Sequence, residues 1–255
     1  MNKKSFLGCE KPLLTCMVQA DNPDRIKELV KLSIPEGAEA FGMQFCKLKP
    51  EYRNKETYRE LFSFTSPFPV YATNYRNHGS NVGKSDDILA LELIELAECG
   101  ATLCDVMGDY FDPCKGEFTV DTHAVERQME LIDKLHSCGA EVLMSSHILE
   151  FTPAERVLEI ALEHQRRGAD ICKIVVGASN MAEQIENLRI VNMLKENLKI
   201  PFLFLSGGES CILRRLGEKV GNCMSLCVYE YDELATKAQP LLCDMTEIRK
   251  LFGGK

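Results

Sequence analysis

TPAERVLEIALEHQRRGADICKIVVG, residues 152–177, holds the repeating unit of this chain. Its first half has apolar residues at i, i+3, i+4 and i+7 spacing, which predicts a helix over Pro153–Arg167. Thr152 is the expected N-cap, with Pro153 at the first helical position and Glu155 closing a capping box. Gly168 follows as the stop signal. The second half, Asp170–Gly177, is β-branched and bounded by turn residues, and it reads as a buried strand. Lys173 sits inside that strand. A lysine rarely occupies such a place unless it is paired or put to work. Burial favours the neutral amine over the ammonium, and a neutral amine can attack a ketone to form a Schiff base. The structural alternative is a lysine whose stem lines the strand while its head reaches solvent or a carboxylate.

The same alternation runs through the chain. Further strand-like runs are Leu13–Gln19, Ala38–Phe45, Val70–Tyr75, Thr102–Met107, Glu141–His147, Pro201–Ser206 and Cys223–Tyr229. Helical spacing between them is clearest over Asp86–Cys99, His123–Cys138 and Met181–Leu198, with Gly100 and Gly139 closing the first two. Eight strands alternating with helices predict a (β/α)₈ TIM barrel, an α/β fold, as one domain over residues 1–255. A doubly wound sheet would show fewer strands and a Gly-rich first turn, whereas the first strand is followed by Gln19-Ala20-Asp21-Asn22-Pro23. The longest irregular stretch, Gly108–Val120, follows the fourth strand on the face where barrels place their active sites. It is a candidate lid or specificity loop.

The 255 residues are 45% hydrophobic and carry a formal net charge of −8, with no basic stripe, so nucleic acid is not an expected partner. No apolar run approaches membrane-spanning length. Glu10 and Lys11 interrupt the N-terminal segment before a signal-peptide core can form, so a cytoplasmic protein is expected. Twelve cysteines occur without any C-x-x-C pair, and they read as free, mostly buried thiols in a reducing compartment.

In a barrel of this kind, the strands' C-terminal ends carry the chemistry. Gln44 ends the second strand, Arg76 follows the third, and Asp105 lies in the fourth. His147 closes the fifth, Lys173 lies in the sixth, Ser206 ends the seventh, and Arg215 falls on the next helix. A lysine could form an imine with a ketone, and a histidine on the adjacent strand could take the proton that the imine acidifies. An arginine could clamp a carboxylate. Each residue alone has a structural alternative. Arg76 could cap a helix, Asp105 could order a loop, and Arg214 with Arg215 could form a solvated face. Gathered on one face, they favour function.

Three stretches carry a resemblance. They are Val142-Leu143-Met144-Ser145-Ser146-His147, then Phe151-Thr152-Pro153-Ala154-Glu155, then Arg167-Gly168-Ala169-Asp170-Ile171-Cys172-Lys173-Ile174. The combination S-x-H, T-P and G-A-D-x-x-K-I resembles type I 3-dehydroquinate dehydratase. Ile212-Leu213-Arg214-Arg215-Leu216 is similar to the segment bearing that family's carboxylate-binding arginine, and points to Arg215. The resemblance implies a lyase of the shikimate pathway that needs no metal or cofactor and suits a homodimer. Lys173 would bond the ketone carbon of 3-dehydroquinate. His147 would remove the neighbouring proton and then help protonate the departing hydroxyl, giving 3-dehydroshikimate and water.

Elsewhere the chain departs from the family. Gln44-Phe45-Cys46-Lys47 stands where the family shows E-W-R. Asn77-His78-Gly79-Ser80-Asn81 replaces a glutamate-bearing loop, and Asp105-Val106-Met107 replaces D-x-E. Thr236-Lys237-Ala238-Gln239-Pro240 only partly echoes S/T-A-P-G-Q. Arg76, Gln44, Ser206 and Asp105 remain as candidate substrate contacts. Three readings are therefore open. The chain is a divergent 3-dehydroquinate dehydratase, a Schiff-base dehydratase or aldolase for another keto acid or polyhydroxy ketone, or a non-catalytic binding protein on the same scaffold.

Overall fold

The computed structural model describes residues 5–208 and 211–253. Eight strands alternate with eight helices. They are β1 Leu13–Val18, α1 Pro23–Ser33, β2 Ala40–Gln44, α2 Lys55–Thr65, β3 Val70–Thr73, α3 Asp86–Cys99, β4 Leu103–Met107 and α4 Thr122–Ser137. The order continues with β5 Glu141–His147, α5 Ala154–Arg166, β6 Ile171–Val176, α6 Met181–Asn197, β7 Phe202–Ser206, α7 Ile212–Val220, β8 Met224–Cys227 and α8 Leu242–Leu251. The strands form one sheet in the order β7-β6-β5-β4-β3-β2-β1-β8. The Cys223 N–H, just before β8, donates to Phe202 O at the start of β7 (2.9 Å), so the two edges nearly close. The fold is the expected (β/α)₈ TIM barrel. Almost every strand residue is buried, as befits parallel strands covered on both faces.

Asparagine supplies three helix starts. Asn22, Asn54 and Asn180 each accept from the backbone N–H three residues on, satisfying a donor that the helix leaves unpaired. The capping box expected at Thr152 does not form. Pro153 is the cap of α5 and offers no side-chain bond. The Thr152 hydroxyl turns back to donate to Glu150 O (3.1 Å), so the helix starts one residue later than its sequence signal.

Close packing divides the chain into two compact units. The first comprises Met1–Cys104, Ser137–Ala140 and Leu226–Lys255. Here Gly42 of β2 makes room for Met17 of β1, because a Cβ at that position would lie 2.0 Å from the Met17 sulfur. The nearly buried Arg53 guanidinium donates to Asn74 Oδ1 (3.0 Å) and Glu92 Oε2 (2.6 Å), tying the segment after β2 to α3. The second unit comprises Asp105–His136 and Glu141–Ser225. Cys172, Ile174, Val176, Phe202 and Phe204 face Val157, Ile160 and Ala161 of α5 and Ile190 and Leu194 of α6. Fully burying one such large apolar side chain contributes about 1.5–3 kcal/mol.

The twelve cysteines are thiols rather than disulfides. Burial pushes the Cys16 thiol up to about 11, and it also raises Cys172. Both stay protonated and pack as small hydrophobes. Among the described residues, no helix is long and apolar enough to cross a membrane.

Candidate active site at the ends of β5 and β6

Parallel register brings the lysine and the histidine to one face. Ser145 of β5 lies opposite Lys173 of β6, and His147 lies opposite Val175. Side chains two residues apart share a face, so Ser145, His147 and Lys173 point the same way. Cys172, Ile174 and Val176 occupy the helix-facing side. Lys173 and its partners therefore face the barrel interior.

Lys173 is not a bare amine. Its Nζ donates to Asp105 Oδ2 of β4 (3.3 Å), and the Ser145 hydroxyl donates to Asp105 Oδ1 (2.5 Å). The lysine side chain is 5% exposed and the aspartate 0%. A buried charge needs such compensation. Three adjacent strands thus deliver a lysine, a carboxylate that can hold or take its proton, and a hydroxyl that orients that carboxylate.

His147 ends β5 with 22% of its side chain exposed, and its Nδ1 lies 2.6 Å from Glu117 Oε2. With Glu117 ionised, Nδ1 carries the proton, so the neutral ring keeps its lone pair on Nε2. Glu117 belongs to the irregular 108–120 segment. Both ends of that segment are clamped by Arg167, whose NH1 donates to Gly108 O (3.1 Å) and whose NH2 donates to Thr119 O (2.7 Å). Gln128 Nε2 adds a bond to Tyr110 O (2.9 Å).

Beneath this site lies a second histidine with a different role. Ser146 Oγ donates to Glu117 O (2.6 Å), so it must accept from His164 Nε2 (3.1 Å). His164 Nδ1 then accepts from the Cys172 thiol (3.4 Å). Burial holds His164 down at about 3, with the Arg167 charge reinforcing it, so the ring is neutral and structural.

The remaining sequence candidates divide. Ser206 pairs with Val176, on the opposite side of the sheet from Lys173. It is fully buried and donates to Gln184 Oε1 of α6 (3.1 Å). The pleat turned the strand-end serine toward the helices. Arg215 is exposed on α7, whereas its neighbour Arg214 is half-buried, its Nε having no hydrogen-bond partner among the described residues. Burial lowers the Arg214 guanidinium from its ordinary value. In the first unit, Arg76 spends its fork on Asp86 of α3, with Nε and NH2 each 2.7 Å from a carboxylate oxygen. Gln44 is half-buried at the end of β2, and Gln239 is buried in the segment before α8.

Sequence reasoning missed Ser145 and Glu117. Strand alternation could have found Ser145, two residues before His147. Glu117 had no local signal, because its position depends on contacts from α5, α4 and β5.

Fold and site together define a (β/α)₈ barrel with a buried lysine and a carboxylate-paired histidine on adjacent strands. Comparison with known proteins narrows that class. The sequence model of the type I 3-dehydroquinase family matches residues 92–254, and the chain belongs to that family. Among curated relatives, the 3-dehydroquinate dehydratase of Alkaliphilus oremlandii is 31% identical over 100 residues, covering 38% of this chain and 39% of that protein. The one from Syntrophotalea carbinolica is 33% identical over 99 residues, again covering 38% and 39%. The chain thus spans about two fifths of the length of these relatives. The crystal structure of 3-dehydroquinate dehydratase from Geobacillus kaustophilus superposes with a TM-score of 0.82 at 15% identity, over 96% of this chain and 93% of that one. At that identity the likeness speaks for the fold.

Proposed function

We propose that this chain is an imine-forming hydro-lyase that removes water from 3-dehydroquinate to give 3-dehydroshikimate. The observation that carries the reading is Lys173, buried against Asp105, with His147 two residues beyond Ser145 on the adjacent strand and the same face. Family membership agrees with it. The reading brings with it a step of the shikimate pathway, a cytoplasmic location, one 255-residue domain and a homodimer.

In this mechanism Asp105 accepts the proton that Lys173 gives up. The neutral amine adds to the ketone carbon, and the carbonyl oxygen leaves as water, forming a protonated imine. His147 Nε2 takes a proton from the carbon next to the imine, and the C–H electron pair flows onto the imine nitrogen to give an enamine. The enamine pair then expels the hydroxyl one carbon further on, which leaves as water with the proton from His147. Hydrolysis of the imine consumes one water, releases the unsaturated ketone and regenerates Lys173. The balance is one water lost.

Arg214 is the arginine assigned to the substrate carboxylate in place of Arg215. It is the half-buried one of the pair, and its Nε finds no partner among the described residues. A specific observation favours a second reading, in which the substrate is a different keto acid. The family match begins at residue 92, and the departures at Gln44-Phe45-Cys46-Lys47 and after Arg76 lie before it.

Steady-state assays with 3-dehydroquinate, following the conjugated product by ultraviolet absorbance, decide between them. Saturable turnover is expected. Arg214→Lys should raise KM on the order of tenfold to a hundredfold, because a charged hydrogen bond is worth about 1.5–3 kcal/mol and lysine lacks the planar fork. Arg215→Lys should leave KM unchanged. No turnover of 3-dehydroquinate, with imine trapping by another ketone, would replace the first reading with the second.

A further inference from the structure

Glu117 reaches His147 from a segment with no regular structure, yet its placement is fixed at every atom that matters. Its carbonyl accepts from Ser146 Oγ, one residue before His147, at 2.6 Å. Ser146 is in turn held by His164, and His164 by Cys172 of β6. Gly108 permits the approach, since a Cβ there would stand 2.6 Å from Glu117 O and 2.9 Å from Ser146 Oγ. Glu117 itself adopts φ 49°, a left-handed conformation that a non-glycine residue holds only when its surroundings impose it. The backbone bond lies on the helix side of β5, while the carboxylate crosses the strand end to Nδ1 of His147.

We infer that Glu117 is a positioning residue for catalysis: it holds His147 in the tautomer with Nδ1 protonated and stabilises the imidazolium formed when Nε2 takes the substrate proton. The inference rests on the proposed role of His147 as proton carrier. Glu117 touches no reacting atom and acts through the ring. An orienting carboxylate of this kind does not change its own protonation state. It fixes which nitrogen is basic and favours the charged ring. Glu117 alone of the segment then serves the chemistry, delivered to the ring by the Arg167 clamp and the Ser146 bond.

The test uses histidine labelled with ¹⁵N in the full chain, with the His147 resonances assigned by their loss in His147→Ala. Wild type should show His147 protonated at Nδ1 in its neutral form. Glu117→Gln presents an amide N–H to Nδ1 and should move the population to the Nε2-protonated tautomer, while Glu117→Ala should leave a mixture. With 3-dehydroquinate, both variants should still be trapped on Lys173 by borohydride. Their kcat should fall on the order of 10²–10⁴-fold with little change in KM. Lys115→Ala, which removes only the exposed ion pair to Glu150, should match wild type and exclude a general effect of disturbing the segment. Unchanged His147 tautomers in both Glu117 variants would overturn the inference. The spectra need no substrate. If wild type does not turn over 3-dehydroquinate, the functional reading fails and the tautomers alone decide the role of Glu117.

Discussion

His147 and His164 contain the same ring and face opposite demands. His147 is partly exposed and bonded to a carboxylate. His164 is fully buried between a hydroxyl and a thiol. The folded value of about 3 for His164, set mainly by burial, lies well below the ordinary 6.5, so the unfolded chain takes up the proton first. Its contribution to stability is complete above pH 6.5 and is lost as pH falls toward 3. Between pH 7 and 5 that loss is roughly 2 kcal/mol. Glu163 adds a second loss at lower pH. The Arg166 and Arg167 guanidinium groups hold it at about 2, below the ordinary 4.5, so its contribution fades between pH 4.5 and 2. Urea unfolding across this range should show the first decline in wild type. His164→Gln should be less stable at pH 7 but decline less between pH 7 and 5. Parallel pH dependence in the two proteins would remove His164 as the cause.

The 108–120 segment shows how an irregular stretch can be fixed by regular neighbours. Arg167 is fully buried, and its guanidinium bonds to Gly108 O, Thr119 O, Gln128 Oε1 and Glu163. Removing it strands buried acceptors on both ends of the segment. Arg167→Ala should therefore cost on the order of 3–5 kcal/mol in urea unfolding, as expected when a buried charged network loses one member. A cost below about 1 kcal/mol would show that the segment holds itself. The strands and helices around it were legible because their patterns are local: an apolar run bounded by glycine at Asp170–Gly177, or helical spacing over Met181–Leu198. Lys173 and His147 were legible for the same reason, as odd residues in clear strands. A strand's end marks depth along the barrel but not which face a side chain takes, and Ser206 turns toward the helices. Arg215 came from the likeness of one short segment to the family; adjacent helix positions differ by about 100° in direction, and packing leaves Arg214 the more buried of the two. Arg76 looked available because Asp86, ten residues on, gave no sign of being its partner.

Across the whole fold, the eightfold alternation of strand and helix was enough to specify the barrel, since few other architectures use so many β/α units in one chain. Family identity is unevenly distributed over that frame. The family match covers residues 92–254, which include Asp105, His147 and Lys173, and leaves β1 to β3 outside it. The chemistry proposed for the matched part needs one covalent bond, between Lys173 Nζ and the ketone carbon of the substrate. Borohydride reduction during turnover of 3-dehydroquinate, followed by mass spectrometry of the digested chain, looks for that bond. A stable adduct is expected on the peptide containing Lys173, absent from Lys173→Ala even though that variant folds. An adduct on another lysine, or full turnover by Lys173→Ala, would contradict the imine mechanism.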